Sequence, residues 1–228
     1  LLGNLLWLHY DNHVIRIDEE MHASGAQNFY YALASPSLHG LQERWQAILD
    51  IDSPYPPLLH ILGACGALVA GYSQDAIAFP NTLWFLLVVL GTYAIARRMF
   101  SRTGALLAAA VCSFIPVLFG GSRYIALENL VSVFSVWGLY AVLASDYFRR
   151  RRAVIAFGLL NGLAILTKPN AFVYYLLPAA LAFALGLVAV LRARDRRALT
   201  AFAFNGLLVL MLTLIVAAPW YIYHRDDF

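Results

Sequence analysis

Six apolar stretches of near-spanning length follow one another through the second two-thirds of the chain, at about 77–96, 104–120, 127–147, 153–167, 171–191 and 199–223. Crossing a bilayer takes about 20 mainly apolar residues in helical form. In hydrocarbon every backbone N–H and C=O must find its partner inside the structure, which leaves a helix as the natural form for such a stretch. Charge agrees: 13% of residues are charged and the mean hydropathy is +0.68, where a soluble domain carries roughly twice that charged fraction. The chain is therefore expected to be an all-α integral membrane protein, a single membrane domain over 1–228. A net charge of +3 is too small to suggest nucleic acid. Cys65 and Cys112 both lie in apolar runs and read as small buried hydrophobes, without disulfide or metal spacing. Residues 1–10 read as the last turns of a truncated first helix, so the chain is expected to be a piece of a longer protein.

The run at 58–72 decides the topology, because if it spans, every later turn changes side. Treated as a re-entrant or interfacial helix, it leaves Arg97, Arg98, Arg102, Arg149 to Arg152, Arg192, Arg194, Arg196 and Arg197 on one side. These are eleven of the sixteen basic residues, in three tight turns, and the other side keeps eleven of the thirteen acids. Short Lys/Arg-rich turns stay cytoplasmic, so this arrangement obeys the positive-inside tendency. It predicts about seven spanning helices, with the N-terminus inside and residues 11–76 forming a long extracytoplasmic loop. Within that loop 19–33 and 38–49 can form amphipathic helices lying in the interface, a roof where a lipid-borne substrate can meet a soluble one.

Several outer-face residues are chemical candidates. Asp18, Glu19 and Glu20 offer a general base or cation anchor, or a solvated acidic run at a helix N-terminus. Glu128 opens a span, where an ionisable side chain is costly and usually faces the bundle interior; Arg123 lies in the turn before it. Lys168 stands on the face that the positive-inside tendency depletes of basic residues, and an ammonium there suits a phosphate. Either basic residue can also be read as an interfacial snorkel. Asp18 and His22, four apart on one helical face, are weak candidates for a divalent cation, although no tight ligand cluster is present and no cofactor is indicated.

In order along the chain come IDEEMHA, YPPLLHILG, ARRMFSRTGALLAA, SRYIALENL, GLLNGLAILTK and APWYIYHR. This series resembles the GT-C membrane glycosyltransferases, in the branch of dolichyl-phosphate-mannose protein mannosyltransferases and bacterial aminoarabinose or other polyprenyl-phosphate-sugar transferases. The resemblance covers nearly the whole chain. It implies transfer of a sugar from a polyprenyl phosphate to a lipid, glycan or protein acceptor, with inversion at the anomeric carbon. It also implies a setting in the plasma or inner membrane, or the endoplasmic reticulum of a eukaryote, with the site on the outer side. Its first-loop acid falls on Asp18 with Glu19 beside it, and its second acidic position on Glu128. Arg123 and Lys168 fall where the lipid phosphate is expected, and Tyr55 and His60 of the YPPLLHILG segment are weaker substrate-contact candidates. A transporter or flippase fragment and a non-catalytic subunit on the same scaffold are the competing readings.

Overall fold

The computed structural model describes residues 2, 3, 6, 10, 17–37, 39–51, 53 and 55–225, so the truncated first helix expected over 1–10, with Trp7 and His9, lies largely outside the described residues. The described chain is helical throughout. In order come α1 (Ile17–Ala34), α2 (Leu41–Leu49), α3 (Leu58–Ala70), α4 (Gln74–Met99), α5 (Arg102–Phe114), α6 (Pro116–Gly121), α7 (Leu127–Ala144), α8 (Arg151–Ile165), α9 (Val173–Ala193) and α10 (Arg196–Tyr223). Side-chain caps mark several starts. Ser73 accepts from the Ala76 amide, Ser101 from that of Gly104, and Asp195 from those of Arg197 and Ala198, each satisfying N–H groups the first turn leaves open. Pro116 cannot donate within a helix, and it divides the apolar run at 104–120 into α5 and α6.

Among the described residues four helices, α4, α7, α9 and α10, are long and apolar enough to cross a membrane, and the chain is an integral membrane protein. The run at 58–72 becomes α3, whose 13 residues reach about 20 Å at 1.5 Å per residue, short of a hydrocarbon core of about 30 Å. It stops at Gly71, whose φ of +87° suits glycine. The two expected loop helices form as α1 and α2. The buried side chains of α1 are Glu19, His22, Ala23, Ala26, Phe29 and Ala32, a single stripe whose polar end is the N-terminal one.

Hydrogen bonds between elements separate two ends of the bundle. At one, an Arg98 guanidinium N–H reaches the Leu143 carbonyl at 3.5 Å, and Asn205 donates to the Phe148 carbonyl at 2.8 Å. The arginine turns therefore gather there. At the other end Asn81 donates to the Tyr124 carbonyl at 2.6 Å, the Leu58 amide to Leu166 at 3.1 Å, and Gln46 to the Tyr223 hydroxyl at 2.8 Å.

The most extensive helix pairing among the described residues is α8 against α10. Gly158 and Gly162, one turn apart, present bare backbone: a Cβ on Gly162 would lie 2.6 Å from Val216 Cβ, and one on Gly158 would lie 3.1 Å from the Val209 carbonyl. Small residues four apart let membrane helices approach in this way, where packing rather than water drives association. Thr213 donates to the Gly158 carbonyl at 3.1 Å, Asn161 to Thr213 at 3.1 Å, and Tyr175 to Asn161 at 2.7 Å, a polar chain joining α8, α9 and α10. Gly162→Leu forces side chain into this seam, and overpacking of that kind costs about 1–3 kcal/mol. A lowered thermal unfolding midpoint in detergent, with Leu159→Ala nearly neutral, is the expected outcome.

Candidate functional site

The candidates converge at the end of the bundle away from the arginine turns. Lys168 follows α8 on a tightly held turn: its amide donates to the Ala164 carbonyl at 2.9 Å, and Thr167, fully buried, donates from its hydroxyl to Leu163. The turn is gripped from both sides, by the Leu58 amide on Leu166 and by the Tyr221 hydroxyl on Ile165 at 2.9 Å. The side chain then reaches Glu128 in the first turn of α7, with Nζ to Oε1 at 2.9 Å. This hydrogen bond holds the Lys168 ammonium above its ordinary pKa, helped by the Glu128 charge and opposed by partial burial. The lysine is thus cationic through the neutral range.

The pair stands at the head of a cleft of about 310 Å³ whose walls are mainly apolar, with Val88 and Thr92 of α4, Cys112 of α5, Leu118 of α6 and Val131 of α7 below it, and Tyr174 beside Lys168. A charged pair above an apolar trough accommodates a molecule with an anionic head and a hydrocarbon tail.

Helix α1 lies over this end. Its three consecutive acids separate as neighbours 100° apart must. Asp18 and Glu20 are exposed, whereas Glu19 is buried at 7% exposure and accepts from the Ile125 amide at 3.4 Å, in the turn leading to α7. Glu19 thus ties α1 to the α6–α7 turn, and Asp18 is the acid of the pair presented to solvent. His22, one turn further on, is within reach of the Asp18, Glu128 and Lys168 charges; burial lowers its pKa, Lys168 adds to that, and the two carboxylates oppose it. Its ring meets that of Tyr55 edge-on at 5.0 Å.

Asp18, His22, Tyr55, Glu128 and Lys168 therefore share one neighbourhood. Arg123 is placed differently from the expectation of a pair flanking one phosphate: its guanidinium lies over the Phe119 ring at 4.3 Å, while Lys168 is engaged by Glu128. His60 also departs from its expected role. At 2% exposure, packed between α1 and α3, it has no open face for a substrate, and its link to the site runs through His22. Among the described residues no three His, Cys, Asp or Glu side chains gather as a metal site, and the Nδ1 atom of His22, the weak cation candidate, is occupied by His60. The His22–His60 contact joins residues 38 apart and escaped the sequence reading; the only available signal was His22 falling one turn after Asp18.

Residues 54–223 match the family model described as dolichyl-phosphate-mannose-protein mannosyltransferase. The match includes Glu128 and Lys168 and begins beyond Asp18. No curated protein matches the chain significantly. Among solved structures, the crystal structure of ArnT from Cupriavidus metallidurans in the apo state is similar, with a TM-score of 0.70 at 19% identity, over 99% of this chain and 40% of that one. At such identity the likeness is one of fold, and the chain spans about two-fifths of that protein's length. With 170 of its 228 residues inside the family match, the chain belongs to the dolichyl-phosphate-mannose-protein mannosyltransferase family.

Proposed function

We propose that this chain forms the donor-binding membrane module of a glycosyltransferase that takes a sugar from a polyprenyl phosphate and passes it to an acceptor at the extracytoplasmic surface. The observation that carries the reading is the apolar cleft headed by the Lys168–Glu128 pair. A prenyl tail fits the trough, and the phosphate comes to rest against an ammonium. Family membership supports the same class of reaction. The arginine turns at 97–102, 149–152 and 192–197 face the cytoplasm and the site faces outward. The whole module is one membrane domain, with α1 to α3 as its outer roof.

In the reaction the bond between the anomeric carbon and the phosphate oxygen breaks, and its electron pair leaves with the phosphate. The acceptor oxygen or nitrogen attacks that carbon from the opposite face, inverting it, and loses its proton to a carboxylate. Lys168 stabilises the charge that grows on the leaving phosphate. It leaves Glu128 for the phosphate or shares itself between them, and the freed Glu128 can orient the sugar or the acceptor. Asp18, exposed over the cleft end of the bundle, is the general base. Glu19 holds α1 in place through Ile125, and Arg123 acts from the neighbouring turn.

Four measurements test this. A charge-assisted contact to phosphate is worth about 1.5–3 kcal/mol, so Lys168→Ala lowers donor kcat/KM by about one to two decades while Lys168→Arg keeps part of it; unchanged kinetics in Lys168→Ala would refute the phosphate assignment. Asp18→Asn lowers kcat by about two to four decades with donor binding retained, and Glu20→Gln changes little. Because the Glu128 hydrogen bond raises the Lys168 pKa, the lysine keeps its charge to higher pH than an unpaired one. Donor binding therefore falls off only at alkaline pH, and in Glu128→Gln that alkaline limb moves to lower pH. For topology, Arg150→Cys in a background lacking Cys65 and Cys112 stays unlabelled by an impermeant maleimide in intact cells; external labelling overturns the orientation.

A further inference from the structure

Two buried histidines meet across the contact between α1 and α3. Nδ1 of His22 lies 3.2 Å from Nε2 of His60, and the rings are 4% and 2% exposed. The packing holds His60 in one place. A Cβ added to Gly25, on the same helix as His22, would come within 2.8–2.9 Å of three atoms of the His60 ring, so the ring occupies the space that glycine leaves. Phe29, a turn further on, stacks on the ring at 6.0 Å. A histidine set so firmly against a second histidine fixes more than position.

Burial, reinforced by His22, pushes the His60 pKa down to about 4, so the ring is neutral at physiological pH and carries a single N–H. Its Nδ1 is buried with no hydrogen-bond partner among the described residues. If the proton sat there, a buried donor would be stranded; orphaned N–H groups are the rarer kind in folded proteins. The proton therefore belongs on Nε2, where it is donated to Nδ1 of His22. With Nδ1 accepting, neutral His22 carries its own proton on Nε2, the ring atom away from His60. Asp18 precedes His22 by four residues on α1, the spacing at which helical side chains meet. The remaining charges that reach His22 are Glu128 and Lys168, and Tyr55 lies against its ring.

We propose that His22 is a positioning residue for the reaction, held by His60 in the Nε2–H tautomer so that it donates to the Asp18 carboxylate and orients it toward the acceptor. In the reacting complex one Asp18 oxygen accepts from His22, leaving the other for the acceptor's proton. His60 acts one step further back, and Gly25 provides the room it needs. The proposal rests on Asp18 being the base.

The test uses the full-length protein with ¹⁵N-histidine in nanodiscs, together with sugar-transfer kinetics. Nitrogen shifts are expected to report Nε2–H for His22 in the wild type and a tautomer mixture in His60→Phe, which keeps an aromatic ring and removes the donor. His22→Ala is expected to lower kcat by about 10- to 100-fold with donor KM within about twofold, the usual size for losing one hydrogen bond to a charged group. A hydrogen bond to the charged form lowers a carboxylate's pKa, so the acid limb of the pH–kcat profile moves to higher pH in His22→Ala. His22→Gln, whose amide N–H reaches a similar distance, recovers part of both effects. An Nδ1–H tautomer in the wild type overturns the proposal. So does a His22→Ala loss that appears in donor KM, or a kcat loss with an unmoved acid limb. If Asp18→Asn proves fully active the base assignment fails by itself, and the tautomer measurement still decides whether His60 sets His22.

Discussion

A peptide group in hydrocarbon has no water to turn to, and the architecture of this chain follows from that constraint. The apolar runs become helices because a helix satisfies its own backbone. Polar side chains within the bundle are consumed by one another, as in the chain from Tyr175 through Asn161 and Thr213 to the Gly158 carbonyl. Charged groups are driven to the two ends, and the ends differ in kind. One collects arginines on short turns. The other collects carboxylates, histidines and a lysine beneath α1 and α3. A site able to handle an ionic head group can be built only at such an end; at the arginine end Asp146 is paired with Arg149 and Asp195 caps α10, so the other end holds the carboxylates left for one.

The parts of this arrangement readable from sequence were those governed by composition and by single positions. The apolar runs emerged as helices, the run at 58–72 as one of 13 residues, and Lys168 stood out because it broke a charge rule and then proved to meet Glu128. What depended on side-chain direction was not readable. Nothing in the letters of Asp18-Glu19-Glu20 tells which acid turns inward, since that is set by how α1 sits on the α6–α7 turn; Glu19 turned out to be the buried one. The meeting of His22 with His60 depends on the crossing of α1 and α3 and on the missing side chain at Gly25. The close approach of α8 to α10 did have a signal in the glycines of GLLNG, four residues apart, within a segment noted instead for its lysine.

Ion pairing at Lys168 also prepares the site. A lone ammonium above an apolar cleft would have to be solvated or displaced, and Glu128 keeps it charged and in place at 2.9 Å. The same carboxylate competes with any anion that arrives, so affinity is moderated while orientation is preserved. Glu19 performs a comparable service on the other side, spending its charge on the Ile125 amide so that the roof helix keeps a defined height.

The shortness of α8 has a mechanical consequence for the lipid around it. The helix has 15 residues, Arg151–Ile165, about 22 Å of helix where the hydrocarbon of an ordinary bilayer is about 30 Å thick. The glycine seam locks α8 to α10, so it cannot slide along its neighbour to relieve the difference. In the proposed topology α8 crosses the bilayer, so its charged ends seek water across a distance the hydrocarbon exceeds by several ångströms, and the membrane beside it is pinched. Head groups on the outer leaflet sink toward the midplane at that point. On the proposed function, the long isoprenoid of the donor meets Lys168 in a dimple, where its length disturbs the packing less than it would in a flat leaflet.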